Sequence, residues 1–512
     1  MNTPTAIVND KREIFGWAMY DWANSAFSTT VVTVFLGPYL TGITRAAADA
    51  NGLVYLFGVP IRFDSFFTYL ISTSVLLQVT FLPILGAMAD YSHLRKQMMQ
   101  LFCVLGSSAT ILMFFIQPGG HWLAALLFLI ANLAFGASIV FYNSFLPNIA
   151  SEDQRDRVSS YGWAMGYLGG GLLLLLNLIL YLFADRIGLS SSLVARISLA
   201  SPGVWWLGFS FITFARLRQR QPARPLPPGK GYFSVGFEQL ARLMGVSPSL
   251  VTALMLLPLA IPVLILVGAP VWLIILPGAG PIAVMGIFIA RKWRTLPEAM
   301  KFLVAYLFYN DGVQTVIAVS AIFAAEELNF SSTNLILVIL MIQFVAYLGA
   351  MGFGWLAGRI GAKRSILISL VIWSVVVFYA MTGMQSTAQL LGMEQRQLEF
   401  WALGFVIALI LGGSQALSRS LFAQMIPRNQ EAEFYSFYEI SERGTSWMGT
   451  FIFGLVNQLF GSLRVGVVSI IVFFLIGLII LPFVNVPRAI AQSKQASESE
   501  PGSLLSHSYV EG

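Results

Sequence analysis

The sequence predicts an all-α polytopic membrane protein, and three observations carry that prediction. Of 512 residues, 57% are hydrophobic and only 11% charged, with a mean hydropathy of +0.76, whereas a soluble protein is about one-quarter charged. Apolar runs of about 20 residues, the length that crosses a bilayer, recur from end to end. The charges that remain fall in short clusters between those runs, as in the loops that flank membrane helices.

The same pattern excludes other classes. A net charge of +6 spread over helix ends is not a nucleic-acid footprint, and neither a nucleic-acid partner nor a cofactor is expected. Cys103 is the single cysteine, so no intrachain disulfide forms. His93, His121 and His507 fall in loops or the tail, without a zinc spacing. A membrane-embedded enzyme would need a clustered catalytic set, and none is present. "GYLGGG" at 166–171 follows no strand and reads as close helix packing, not as a phosphate loop. "RAAADA" near residue 45 mimics a signal-peptide cleavage site, but the preceding run, 14–40, is too long for one and contains Asp21.

Spans are predicted near 14–40, 66–88, 97–116, 122–147, 158–183 and 200–215, then near 301–324, 333–357, 365–384, 399–424, 434–459 and 465–486. Between the two sets lie an Arg/Pro-rich linker, "RLRQRQPARPLPPGKG", and a stretch without charge, 248–290, whose length suits a two-helix hairpin. The expected total is about 14 spans. The division is 1–216 for a first six-helix bundle and 217–300 for a basic cytoplasmic linker with the hairpin. A second bundle follows at 301–486, and a polar, disordered tail at 487–512. With both termini inside, 22 Lys and Arg residues fall on the inner side and 6 on the outer, which the positive-inside rule favours.

The two sets of six also resemble each other. "AMYDWANSAFSTTV" in the first span is matched by "AYLFYNDGVQTVI" in the seventh, each with an aspartate, Asp21 or Asp311, shortly after a tyrosine. The loop "GAMADYSHLRK", 86–96, is matched by "GWLAGRIGAKR", 354–364. The fourth and tenth spans end as "SIVFYNSFLPNIASEDQRDR" and "SQALSRSLFAQMIPRNQEAE". A duplicated bundle is a known transporter architecture, with the substrate held near mid-membrane.

On these motifs the chain resembles the major facilitator superfamily. Its signature loop falls here on Gly86, Asp90, Arg95 and Lys96, with one extra residue before the basic pair. "YDWANSAF" with "YNDGVQTV" resembles the vacuole-effluxer branch, which includes an autophagy-related vacuolar amino-acid exporter and bacterial relatives. The insert 248–290 departs from that branch's pattern. The resemblance implies two pseudo-symmetric six-helix bundles, no cofactor, amino-acid cargo moved outward, and a conformational latch at Gly86, Asp90, Arg95 and Lys96 facing the eleventh span.

Charged and polar groups inside spans are costly and usually functional. Trp17, Asp21, Asn24 and Ser28 share one helix face, since positions three and four apart lie together. With the neighbouring Tyr20, and with Tyr309, Asp311 and Gln314 in the paired span, they are the candidate substrate cavity, completed by Asn143 and Arg419. The two aspartate patches are expected to approach each other. A desolvated carboxyl holds a proton more readily than one in water, so either aspartate is a candidate proton carrier. Pairing with Arg419 or Arg443 is the structural alternative. Glu439, Glu442 and Arg443 are read as an inner gate or ion pair, and Tyr142, Tyr161 and Tyr306 as further aromatics for a cavity.

The function read here is secondary active transport of a small organic solute, amino acids first. The alternatives are peptide, drug or lipid cargo, or a scaffold or sensor that keeps the fold without transport. The expected partners are the lipid bilayer, the solute and a coupling proton. The default setting is a monomer in the plasma (inner) membrane.

Overall fold

In the computed structural model the described residues are 8–56, 59–63, 66–91, 94–219, 231–257, 279–428, 430–444, 446–460 and 462–498. Among them, 11 helices are long and apolar enough to cross a membrane. Numbered as core spans, the first six are Lys11–Ala47, Phe66–Tyr91, Arg95–Phe115, His121–Ile149, Arg155–Phe183 and Ser191–Arg216. Spans seven to ten are Pro297–Leu328, Ser332–Ile360, Ala362–Thr382 and Gln395–Met425, and the twelfth is Leu463–Phe483. The eleventh is built from Glu431–Glu439, a wide turn at Ile440–Gly444, and Ser446–Phe460, so it is interrupted rather than missing.

Packing follows the sequence repeat. In the first set, span one packs on five and six, three on four and six, and two on four. In the second, seven packs on eleven and twelve, nine on ten and twelve, and eight on ten. Contacts between the sets obey the same rule: span five meets eight and ten, and span eleven meets two and four. A single operation that exchanges span n with span n+6 therefore reproduces the pattern.

Matched glutamates and lysines tie the span ends. The backbone N–H of Arg218, just past span six, donates to Glu13 at 2.9 Å; that of Asn485, just past span twelve, donates to Glu298 at 2.8 Å. Lys96 donates to the carbonyl of Leu217 at 2.7 Å, and Lys363 to those of Pro482 and Val484 at 2.6 and 2.7 Å. Each cation meets the carbonyl end of a helix, where the dipole favours it.

Several expectations change. The sixth span begins at Ser191, capped by the Ser190 hydroxyl, and carries Arg196 within its second turn instead of starting after it. The tail is not wholly disordered. Val486–Glu498 is a helix packed on spans seven and ten, with Ala489 buried and Lys494 3.0 Å from Glu152 of the four–five loop. The linker contains a helix, Tyr232–Met244, packed on span two. The predicted hairpin is helical at Pro248–Leu256 and Ala279–Lys292; its middle, 258–278, lies outside the described residues. Phe288 of its second arm stacks on Phe437 of span eleven, with centroids 3.7 Å apart.

Candidate functional site

Three helices build the central site. Asp21 comes from span one, Ser159, Gly162 and Trp163 from span five, and Arg419 from span ten. Spans one and five can close on each other because position 162 has no side chain. A Cβ there would sit 2.7 Å from Asp21 Oδ2, 2.7 Å from the Trp17 ring and 2.9 Å from Arg419 Nη2.

In that gap Arg419 Nη1 lies 3.1 Å from Asp21 Oδ2. The Tyr142 hydroxyl donates to the same oxygen at 2.7 Å. Two further guanidinium nitrogens donate to Ser159, Nε to its hydroxyl at 2.9 Å and Nη2 to its carbonyl at 2.7 Å. The rings of Trp17, Trp163 and Tyr142 surround the cation, with centroids 4.8, 5.4 and 5.6 Å away, a cation–π arrangement. Trp17 is held in turn by its indole N–H on the Tyr142 carbonyl at 3.0 Å. Asp21 is 7% and Arg419 3% exposed, so the charges are desolvated, and the carboxylate meets the guanidinium through a single nitrogen.

A polar chain leads from this pair toward the end of the bundle that carries both termini. Asn143 accepts from Arg419 Nη1 at 3.3 Å and donates to Glu439 Oε1 at 2.8 Å. Glu439 therefore reaches Arg419 through Asn143. Glu442 accepts from the Tyr306 hydroxyl at 3.2 Å, and its carbonyl from Asn310 at 3.1 Å. The side chain of Arg443 lies outside the described residues.

Asp311 occupies the equivalent position in the second set. Asp21 sits against Gly162 and Gly166 of span five; Asp311 sits against Gly449 of span eleven. The two carboxylates take different partners: Asp21 pairs with Arg419 of span ten, across the two sets, and Asp311 bonds to span eleven within its own set. Asp311 Oδ2 accepts from the Gly449 N–H at 2.8 Å, while Oδ1 is buried with no hydrogen-bond partner among the described residues. Tyr309 shares a 2.6 Å hydrogen bond with Ser418, one residue from Arg419. Gln314 is half-buried.

Two further predicted cavity residues are buried. Tyr20 is fully buried between Tyr142 and Phe214 inside the first set of six, because one residue rotates a side chain about 100° around a helix of 3.6 residues per turn. Asn24 is 2% exposed, and its Nδ2 has no hydrogen-bond partner among the described residues.

At the termini-bearing end, Arg95 Nη2 lies 3.3 Å from Glu431 Oε2 at the start of span eleven, with both side chains at most 2% exposed. A Cβ on Gly86 would lie 2.6 Å from the Ala432 carbonyl, and its repeat partner Gly354 faces Ser160 of span five at the same 2.6 Å. Lys96 turns back to Leu217 within its own set and takes no part in this contact between sets. The side chain of Asp90 lies outside the described residues. Tyr142 enters the reading only as one aromatic among four; Ser159, Gly162, Trp163 and Glu431 escape it altogether, because nothing in a small or surface-loop residue marks a partner more than 250 positions away.

Two six-helix sets related by one exchange, joined by a desolvated pair, define a transporter of the major facilitator type. The chain belongs to the vacuole effluxer Atg22-like family, whose model matches residues 9–258 and 284–494; the unmatched stretch falls in the insert. It is 29% identical over 486 residues to an uncharacterized MFS-type transporter, YxiO, of Bacillus subtilis, covering 94% of this chain and 97% of the relative. It is 26% identical to autophagy-related protein 22 of Coccidioides immitis, covering 96% and 89%. By fold it is similar to the human organic anion transporter MFSD10 (TETRAN), with a TM-score of 0.60 at 14% identity over 92% of this chain and 99% of that one. It is equally similar to the proton:xylose symporter XylE, at 0.60 and 12% over 93% and 95%. These relatives are transporters rather than enzymes, and the chain is a multi-pass membrane protein.

Proposed function

We propose that the protein moves zwitterionic amino acids by alternating access, with Asp21 and Arg419 as the substrate ligands. The observation that carries this reading is the buried Asp21–Arg419 pair, which joins span one to span ten across the two sets. An amino acid presents the complementary pair of charges. Its carboxylate takes the place of Asp21 on Arg419, and its ammonium takes the place of Arg419 on Asp21, within the ring of Trp17, Tyr142 and Trp163. Substrate binding then breaks the link between the sets and frees them to rock. The family model's description as a vacuole effluxer supports small-solute export.

The coupling ion in this reading is a proton, held at Asp311. A carboxylate buried in a membrane needs a partner for its charge, and Oδ1 of Asp311 has none, whereas Asp21 has Arg419. Arg95 and Glu431, with Gly86, act as the latch that closes the termini-bearing end. That end is cytoplasmic, supported by 22 basic residues against 6, and the membrane is the plasma membrane.

Reconstitution in proteoliposomes tests both parts. Labelled leucine, tyrosine and glutamine should exchange, Asp21→Asn should abolish exchange, and Asp311→Asn should abolish only the dependence on an imposed pH gradient. If none of these amino acids moves, the zwitterion reading fails. If Asp311→Asn leaves the gradient dependence intact, the proton assignment fails.

A further inference from the structure

Away from the central site, a groove of about 740 Å³ opens on the outer wall of the first set of six. Its size falls within the ~300–1,000 Å³ of sites that hold small molecules. One wall is span six, through Ile197, Ala200, Val204, Trp205, Gly208 and Ile212; Phe114 of span three and Leu173 of span five close the sides. Positions 197, 200, 204, 208 and 212 recur at helical spacing and form one face, on which Val204 is 61% exposed. Ala200 and Gly208 are too small to fill it. Trp205 is fixed in place by stacking on Trp22 at 5.7 Å and by donating to the Trp22 carbonyl at 3.2 Å.

Arg196 stands on the same face, one turn before Ala200, at the end of span six away from the termini. Its guanidinium lies over the Phe114 ring at 5.5 Å. Its Nε is buried without a hydrogen-bond partner, and it forms no ion pair among the described residues. From Arg196 to Ile212 the face runs about 24 Å at ~1.5 Å per residue, longer than one leaflet of a hydrocarbon core about 30 Å thick. A cation with an unused donor thus caps an apolar groove of acyl-chain length.

We propose that this groove binds one anionic phospholipid of the leaflet away from the termini, with an acyl chain along span six and the phosphate on Arg196. The chain fills the space above Ala200 and Gly208, and the phosphate oxygens accept from the guanidinium, the charge-assisted pairing that Arg favours.

The test is native mass spectrometry of the delipidated full chain, titrated with phosphatidylglycerol and with phosphatidylcholine carrying the same acyl chains. The parent should bind one phosphatidylglycerol at least fivefold more tightly than phosphatidylcholine. Arg196→Gln should erase that preference. Gly208→Leu, at a position with open space around it, should weaken both lipids severalfold; Ala200→Leu serves the same purpose if that variant proves unstable. Equal binding of the two lipids by the parent would overturn the headgroup assignment. Unchanged binding by the groove-filling variants would overturn the site.

Discussion

Asp21 and Arg419 lie 398 positions apart, yet their charged atoms are 3.1 Å from each other, with Tyr142, Ser159 and Asn143 hydrogen-bonded around them. Breaking one side of such a pair leaves a buried charge uncompensated, at a cost of ~3–5 kcal/mol. Asp21→Asn and Arg419→Gln should each lower the melting temperature in detergent, and the double variant should recover much of the loss. All three should fail to transport. A double variant no more stable than either single one would show that the two groups do not act as a pair.

Gly162→Ala is expected to be damaging although it adds only a methyl group. That methyl would press on Asp21, Trp17 and Arg419 together, and overpacking of this kind costs ~1–3 kcal/mol. Flux should fall while the amount of protein in the membrane stays near that of the parent. Gly358→Ala, where a Cβ meets nothing, is the control, and equal flux from both variants would contradict the geometry.

Glu13 and Glu298 hold equivalent chain ends in the two sets. A hydrogen bond to a charged group contributes ~1.5–3 kcal/mol, so each alanine substitution should destabilise by about that amount. Sites this far apart without shared partners add to within about 0.5 kcal/mol. Chemical unfolding of the two single variants and the double variant reads the sum; strong non-additivity would mean that the two ends are coupled.

Arg95→Ala should open the termini-bearing end by removing the ion pair with Glu431. In a Cys103→Ser background, a cysteine placed at Ser144, whose carbonyl accepts from Arg95 at 3.3 Å, should react with maleimide severalfold faster once Arg95 is removed. Labelling at the parent rate would show that this contact does not hold the end closed.

Lys494→Glu makes a contrasting case. The Lys494–Glu152 pair is 55% and 43% exposed, and exposed pairs are worth ~0–1 kcal/mol. A melting temperature within a degree or two of the parent is expected, and a larger drop would give the tail helix a weight that its exposure does not suggest.

Much of the architecture was legible in one dimension. Hydropathy placed ten of the twelve core spans to within four residues at either end, missing the end of the first and the start of the sixth, and the matched motifs around Asp21 and Asp311, and around Gly86 and Gly354, announced the repeat that packing reproduces helix by helix. The tail helix was missed because Val486–Glu498 is short and polar on average; its single buried row shows only where spans seven and ten receive it. The eleventh span was placed correctly, but its wide turn at Ile440–Gly444 left no trace in composition.

Class, repeat and family therefore follow from the sequence by itself, because burial in lipid constrains every residue of a span and writes itself into long apolar runs. Choice of partner does not. The sequence treats Asp21 and Asp311 as equivalents, and only the tertiary structure gives Arg419 to one of them and a backbone N–H with an unpartnered oxygen to the other. That decision depends on which donors of the neighbouring helices come within about 3 Å of each carboxylate, an approach that a position without a side chain such as Gly162 permits and that is invisible to any local pattern.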